Sequence, residues 1–440
     1  MSPLELRLRA APGRPSGSRR AVLAGCVGNL VEWYEFGVYG CLVTVIAEIF
    51  FAPAGAGAGG AAALVTTYAS FALAFFFRPV GALLFGRLGD RVGRRQALIA
   101  AVGLMTAATT AIGLLPTRAA IGAAAPLLLT FLRVLQGLSA GGEFGGAVSL
   151  MTEHAPPGRR GLGGAWQSFT VALGLLAGAC TAAGLAWVLP ADDLRAWGWR
   201  IPFLLALPLG AVALWLRAGL EEPPPAGRPG AYGVPGAAAP VRRGEVARAV
   251  VLGIGRIMGW SAAGYAFLVV LPSHLQAVLG ASARDALLAT ALANFGFAAS
   301  ILPAGVLSDR VGRRPVMLCG AVSVVVLALP LLRLVQSPGA PTAAKAGAVL
   351  LAGALVGLLA GPGPAMLAEM FPRRVRCTGL GVAYALANAV FSGCAGLVIT
   401  AVAAGTGSTA VPAYYAAGAC ALSVPALLTL RGGAHREPLR

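Results

Sequence analysis

Long apolar segments recur along almost the whole chain, and they limit what it can fold into. Segments of about 20 apolar residues, the length that crosses a hydrocarbon core of about 30 Å, follow one another between Ala21 and Leu430. Only 11% of the 440 residues are charged, compared with about 25% in soluble domains. The segments are continuously apolar and lack the alternation of membrane β-barrel strands. The sequence therefore predicts an all-α membrane protein, in which frequent Gly and Ala let helices pack closely.

Twelve transmembrane helices, with both termini in the cytoplasm, agree best with the distribution of charge. Most of the 34 Lys and Arg residues then lie on the cytoplasmic side, as the positive-inside rule requires. The net charge of +18 is thereby assigned to membrane topology and not to nucleic-acid binding. The predicted helices are 21–51, 61–86, 96–115, 123–152, 163–189, 200–216, 250–273, 286–307, 316–332, 346–370, 380–403 and 412–430.

A ten-residue motif occurs twice, half a chain apart, after the second helix of each half. The copy at 86–95 reads GRLGDRVGRR and the copy at 305–314 reads GVLSDRVGRR. The repeat predicts two six-helix bundles, 1–216 and 250–440, joined by a cytoplasmic linker at 217–249 that is rich in Pro, Gly and Arg. The shared residues that we single out are Gly86, Asp90, Arg91, Gly93, Arg94 and Arg95, and Gly305, Asp309, Arg310, Gly312, Arg313 and Arg314.

The residues of this motif predict a gate at the cytoplasmic face. Asp90 stands where a helix ends, so it can cap the N-terminus of a neighbouring helix or pair with nearby arginines. Gly93 permits the tight turn into the third helix. Glu153 and Glu369, at matching places of the two halves, are read as gating or loop-pairing groups. The alternative is that the motif only anchors the topology.

Ionisable residues inside predicted spans are costly in a membrane, which makes them candidates for function. Glu32, Glu35 and Tyr39 share one face of the first helix. Two carboxylates so close repel each other when both are ionised, which favours binding of a proton to one of them. Arg133 of the fourth helix is the natural partner of a first-helix carboxylate. We therefore expect Glu35 and Arg133 to form a proton-coupled pair, with Glu32 as the substitute for Glu35; a static buried ion pair is the alternative.

Further polar and aromatic residues are candidates for lining a substrate cavity. Gln136 and Glu143 fall along the same helical face as Arg133, and Tyr384 and Asn388 are four residues apart on another helix. Arg78 could instead extend its side chain toward the membrane interface, and interhelical packing is the alternative for most of the others. The predicted cavity residues are Arg78, Tyr39, Gln136, Glu143, Tyr265, Tyr384 and Asn388.

The G-x-x-x-D-R-x-G-R-R pattern resembles that of the major facilitator superfamily, and further stretches resemble its metabolite:proton symporter family. Within that family the segments FGVYG at 36–40, ALPLG at 206–210 and PAYY at 412–415 are similar to the proline/glycine-betaine branch. Glu35 stands where the family usually has Asp. The stretches that carry the family resemblance are 28–40, 78–95, 133–160, 197–203, 271–273 and 369–376.

The resemblance implies a proton-coupled symporter in the bacterial plasma (inner) membrane that imports a small solute by alternating access. A neutral zwitterion carried with one proton moves one positive charge, which gains about 2.3 kcal/mol per 100 mV. We therefore favour a zwitterionic or carboxylate solute of the proline or betaine kind. The alternatives are a di- or tricarboxylate or shikimate-like acid, and a drug or metabolite exporter. The sequence predicts no enzyme activity, cofactor or metal site, and we expect a monomer.

Overall fold

The computed structural model describes residues 16–52, 60–141, 144–153, 155–156, 158–219, 243–372 and 375–431, without the side chains of 16–24, 86, 89, 90, 94, 150 and 243. Eleven helices in this part are long and apolar enough to cross a membrane. A bent pair, Gly25–Cys41 and Val43–Phe51, makes a twelfth span with an angle of 63° between its parts. The prediction of an all-α protein with twelve spans is confirmed.

The first half contains six spans, several of them built from consecutive helices. The first span bends after Cys41, where the chain passes through a turn at Leu42. The bounds are Ser16–Cys41, Val43–Ile46 and the π-helical Ala47–Phe51 for the first span; Ala61–Val92 for the second; Arg94–Leu114 for the third; a short helix Arg118–Ile121; Ala124–Ala140 and Phe144–Glu153 for the fourth; Arg160–Val188 for the fifth; and Ala191–Asp193, the π-helical Leu194–Gly198, Arg200–Leu204 and Ala206–Ala218 for the sixth.

The second half repeats this arrangement with six more spans. Its first span again contains a π-helical turn, and its fourth is again broken, here between Ala360 and Gly363. The bounds are Arg243–Tyr265, the π-helical Ala266–Val270 and Leu271–Leu279 for the seventh span; Ala283–Val311 for the eighth; Arg313–Gln336 for the ninth; Thr342–Ala360 and Gly363–Met370 for the tenth; Arg376–Ala387, the π-helical Asn388–Gly393 and Ala395–Thr406 for the eleventh; and Val411–Leu428 for the twelfth.

Small residues bring the second and fourth spans into backbone contact. A Cβ on Gly137 would collide with the backbone of Ala74, and one on Gly141 would collide with the backbone of Arg78. This close approach, the usual role of Gly between membrane helices, holds Arg78 and Arg133 against the same side of the first span.

The two halves also meet through small residues. A Cβ on Gly305 of the eighth span would stand 2.6 Å from Cβ of Ala165 in the fifth span. Gly396 of the eleventh span packs directly on the ring of Tyr68 in the second. The predicted linker falls largely at 220–242, outside the described residues, so the boundaries of the two domains stay a prediction. Arg217, predicted to begin the linker, instead lies in the sixth span with 2% of its surface exposed.

Candidate transport site and cytoplasmic gate

Glu35 begins a buried polar chain that joins the first, third and fourth spans. Thr109 Oγ1 donates to Glu35 Oε2 at 2.6 Å, and Gln136 Nε2 donates to Thr109 Oγ1 at 2.6 Å. Arg133 Nη1 then donates to Gln136 Oε1 at 2.7 Å. The expected direct pairing of Arg133 with a first-helix carboxylate is therefore corrected: Thr109 and Gln136 stand between Glu35 and Arg133 and connect them.

The two residues at the ends of this hydrogen-bonded series, Glu35 and Arg133, keep polar atoms without a partner among the described residues. Glu35 and Arg133 are fully buried. Within the described residues, Glu35 Oε1 and the Nε and Nη2 atoms of Arg133 have no hydrogen-bond partner. Buried polar atoms without partners are costly, so these atoms are available to a proton or to a polar group of a ligand.

Arg78 lies beside Glu32, and its guanidinium is surrounded by aromatic rings. Its Nη2 is 3.6 Å from Glu32 Oε1. Its Cζ lies 4.2 Å from the centroid of the Phe75 ring, 4.6 Å from that of Phe36 and 5.4 Å from that of Trp33. Arg78 is 4% exposed, so the alternative that its side chain extends toward the interface is wrong. Rings in contact with a desolvated guanidinium stabilise its charge.

Arg133 occupies a similar aromatic setting. Its Cζ lies 4.1 Å from the ring centroid of Tyr39 and 4.8 Å from that of Phe71. The Tyr39 hydroxyl hydrogen-bonds Ser70 at 2.9 Å. Tyr265 reaches this cluster from the second half, with its ring 6.2 Å from that of Phe71. Its hydroxyl has no hydrogen-bond partner among the groups that the structure describes.

A cavity lies between the halves, and we call it the central cavity. Glu32 and Trp33 of the first span line it together with Arg78, and Phe144 and Tyr384 close it from the fourth and eleventh spans. The rings of Phe144 and Tyr384 stack, with centroids 3.4 Å apart and planes 6° from parallel. The cavity therefore presents a carboxylate, a guanidinium and three aromatic rings.

The structure places the remaining predicted cavity residues differently. Asn388 donates to the backbone of Tyr384 at 2.9 Å and accepts from Ser392 at 2.7 Å, and it does not line the central cavity. Tyr39 and Gln136 contact Arg133, and neither they nor Tyr265 line the central cavity. Glu143 lies outside the described residues.

A second cavity lies wholly inside the first half, and we call it the inner cavity. Both Glu32 and Glu35 line it, together with Met105, Thr106 and Ser139 of the third and fourth spans. The hydroxyl of Thr106 is buried and has no hydrogen-bond partner in the part of the chain that the structure describes. The inner cavity therefore brings two carboxylates and two hydroxyl groups together within one bundle.

At one end of the molecule the second copy of the motif caps a helix of the opposite half. Asp309 accepts from the backbone N–H groups of Gly161 at 2.7 Å and Leu162 at 2.9 Å, at the start of the fifth span. Arg313 donates to the same carboxylate at 2.7 Å. Gly312 makes the turn between spans with φ of 101°, as Gly93 does in the first copy with φ of 114°.

The other motif residues contribute less or lie outside the described side chains. Arg91 and Arg310 are exposed and Arg314 is half-buried. Arg95 donates to the carbonyl of Ala218 at the end of the sixth span. The surroundings of Gly86 and the side chains of Asp90 and Arg94 are not among those described, so the predicted cap by Asp90 stays a prediction.

Two ion pairs cross between the halves beside this cap. Glu153, at the end of the fourth span, pairs with Arg376 at the start of the eleventh. Glu369, at the end of the tenth span, lies 3.7 Å from Arg160 at the start of the fifth and 2.9 Å from Arg313. The pairs occupy equivalent places in the two halves. The sequence marks the two glutamates but not their partners, although in each half an arginine, Arg160 or Arg376, follows the glutamate seven residues later.

The opposite end of the molecule is joined as well. The hydroxyls of Tyr68 and Ser273 lie 2.6 Å apart, and Thr44 donates to Gln276 at 3.2 Å. Each contact links a helix of the first half with the seventh span. With both ends joined and Glu35 and Arg133 fully buried, the structure is an occluded state.

The sequence is similar to those of known transporters over almost its whole length. It matches the family description "Sugar (and other) transporter" over residues 21–224 and "Major Facilitator Superfamily" over residues 249–439. It is 34% identical to the ectoine/proline transporter ProP of Corynebacterium glutamicum, covering 97% of this chain and 86% of that protein. It is 32% identical to the proline/betaine transporter of Escherichia coli, covering 96% and 85%. It is 35% identical to the alpha-ketoglutarate permease of Escherichia coli, over 85% of each chain.

Solved structures show the same fold. The crystal structure of the D-xylose–proton symporter matches 93% of this chain and 96% of its own with a TM-score of 0.71 at 19% identity. The partially occluded inward-open xylose transporter XylE of Escherichia coli matches 94% and 98% with a TM-score of 0.70. All these relatives are transporters and not enzymes. The chain is a multi-pass membrane protein that belongs to the major facilitator superfamily, where its sequence is similar to those of the proline/betaine transporters.

Proposed function

We propose that this protein imports a small zwitterion of the proline or betaine kind together with a proton, across the bacterial plasma membrane and by alternating access. Both termini are then cytoplasmic and the capped end of the molecule is the inner end. The observation that carries the proposal is the occluded site, where two carboxylates and two arginines are buried with unpaired polar atoms. The named substrates of the similar transporters support it.

The central cavity offers complementary groups for a zwitterion. Arg78 has Nε and Nη2 atoms without hydrogen-bond partners among the described residues, which suits a substrate carboxylate. Trp33, Phe144 and Tyr384 present aromatic rings to the same cavity, and such rings bind ammonium groups, quaternary ones included. A molecule with its two charges a few bonds apart meets both kinds of group at once.

Proton coupling follows from the charge of the site. Glu32, Glu35, Arg78 and Arg133 carry no net charge when all four are ionised, and a net charge of +1 when Glu35 is protonated. A protonated site therefore attracts a substrate carboxylate more strongly than an unprotonated one. Since Thr109 and Gln136 connect Glu35 to Arg133, the protonation of Glu35 also changes the hydrogen bonding of Arg133.

Alternation requires the contacts at one end to break while those at the other end hold. Opening of the inner end separates Asp309 from the start of the fifth span and breaks both ion pairs between the halves. Each contact is charge-assisted, so it holds the end closed firmly and still yields to water, which replaces its hydrogen bonds.

A dicarboxylate is the second candidate, because two arginines line the site and alpha-ketoglutarate permease is among the similar proteins. Uptake into proteoliposomes with an imposed pH gradient, outside acidic, separates the two. The panel is proline, glycine betaine, ectoine, α-ketoglutarate and citrate, and each is also tested for counterflow without a gradient. We expect accumulation of a zwitterion; accumulation of the acids alone would contradict the proposal, and a collapsed pH gradient is the control.

A further inference from the structure

Glu32 is, among the described residues, the one that lines both cavities. In the central cavity it faces Arg78, with 3.6 Å between Oε1 and Nη2. In the inner cavity it faces Glu35 and Thr106. Because Glu32 lines both cavities, ligand binding in the central cavity can change proton binding in the inner cavity.

We infer that Glu32 is the residue that couples substrate to proton: a substrate carboxylate takes Arg78 from Glu32, and Glu32 then binds a proton that arrives through the inner cavity. The inference rests on the proposed function. It differs from the assignment of Glu35 as proton carrier, because Glu35 lines only the inner cavity and cannot meet the substrate there.

The first step follows from the weakness of the resting pair. The contact at 3.6 Å is longer than a hydrogen bond, and Nη2 and Nε of Arg78 have no other partner in the described part of the chain. A substrate carboxylate in the central cavity can bond both atoms in the bidentate manner that arginine favours. Arg78 then keeps its charge balanced, and Glu32 loses one of the two arginine charges that face it.

The second step follows from burial. Glu32 is 8% exposed, and a buried carboxylate that has lost one of its counter-charges binds a proton more readily. A proton leaves Glu35, binds the Glu32 carboxylate, and Glu35 is reprotonated from the medium. The Thr106 hydroxyl, which has no partner among the described groups and faces the same cavity, can relay this proton. The net result is one proton taken up for each substrate bound.

Several other charged or titratable groups face Glu32, and none of them prevents proton binding to its carboxylate. They come from its own span, and from the second, sixth, seventh and eleventh spans that pack around it. Arg217 donates to the carbonyl of Leu98 at 3.1 Å, so part of its guanidinium is engaged away from Glu32. The groups that face Glu32 are Glu35, Arg78, Arg217, Tyr265 and Tyr384.

Calorimetry of binding tests the inference on the purified full-length protein. The heat of binding glycine betaine or proline, measured in buffers of different ionisation enthalpy, gives the number of protons taken up per ligand. We expect about one for the natural protein and for Glu48→Gln, a carboxylate that pairs with Arg195 away from both cavities. We expect Glu32→Gln to bind ligand with at least a fivefold smaller proton uptake, because Arg78 is already free.

Glu32→Asp keeps the acid and guards against a folding defect in Glu32→Gln. Infrared difference spectra should show a protonated-carboxyl band that appears on ligand binding in the natural protein and shifts in Glu32→Asp. Undiminished proton uptake in Glu32→Gln, or a ligand-induced band that Glu32→Asp leaves unmoved, would overturn the inference and spare the proposed function. Ligand binding with no proton uptake in the natural protein, or no binding of either ligand, would overturn the proposed function itself.

Discussion

Asp309 of the eighth span accepts a hydrogen bond from the backbone N–H of Gly161 at 2.7 Å, so a motif of the second half caps a helix of the first. The positive end of the fifth-span dipole and the carboxylate attract each other. The arrangement gives an acidic residue at this point of the repeat a role in closing this end, although it lines neither cavity. The closed state of this end therefore depends on the Asp309 carboxylate together with the two ion pairs between the halves.

Replacement of Asp309 should favour the state that is open at this end. Asp309→Asn removes the charge from two backbone hydrogen bonds and from the pair with Arg313. Hydrogen bonds to charged groups are worth about 1.5–3 kcal/mol, so the open-to-closed ratio should rise at least tenfold. Pulsed electron spin resonance distances between labels at this end of the fifth and eighth spans measure the change. Asp285→Asn, at the opposite end of the eighth span, should leave the distances unchanged, and an unaltered distribution in Asp309→Asn would contradict the gate.

Gly305 should tolerate no larger side chain. In Gly305→Ala the new Cβ would stand 2.6 Å from Cβ of Ala165 and 3.0 Å from the carbonyl oxygen of Gly161, so the fifth and eighth spans must separate. Overpacking of this kind costs about 1–3 kcal/mol, and we expect a lower melting temperature in detergent. Gly347→Ala is the matched control, because a Cβ there meets nothing within 4 Å. Equal melting temperatures for the two variants would show that the contact between the halves is not tight.

Thr109 should be needed for coupling although it is neither acidic nor basic. Thr109→Val keeps the shape of the side chain and removes the hydroxyl that joins Glu35 to Gln136. We expect accumulation driven by a pH gradient to fall about tenfold, because a buried carboxylate that loses its donor is destabilised by about 1–3 kcal/mol. Counterflow without a gradient should change less. Thr130→Val is the control, because the Thr130 hydroxyl bonds the carbonyl of Pro126 four residues earlier and no other group in the described part of the chain. Equal loss in both variants would remove Thr109 from the proton route.

The sequence predicts the helices and the gate better than the site. The length of an apolar segment predicts a membrane-spanning helix. A repeated motif with Asp before a Gly turn predicts the cap that Asp309 makes. The contact of Glu35 with Thr109 could not be predicted, because it depends on how far each helix is rotated about its axis. Helices that are apolar on nearly all faces give little periodic signal for that rotation. The linker is predicted to begin at Arg217 on composition alone, although the Arg217 guanidinium packs on Gly28 inside the bundle.

The central claim, that the transported proton passes through the buried Glu35 carboxylate of the first span, is tested most directly by Glu35→Gln in proteoliposomes. Accumulation of labelled glycine betaine or proline under a pH gradient and counterflow without one are measured side by side, with Glu48→Gln as the control carboxylate. The account predicts that Glu35→Gln loses pH-driven accumulation and retains counterflow, while Glu48→Gln keeps both. Full pH-driven accumulation in Glu35→Gln would contradict it.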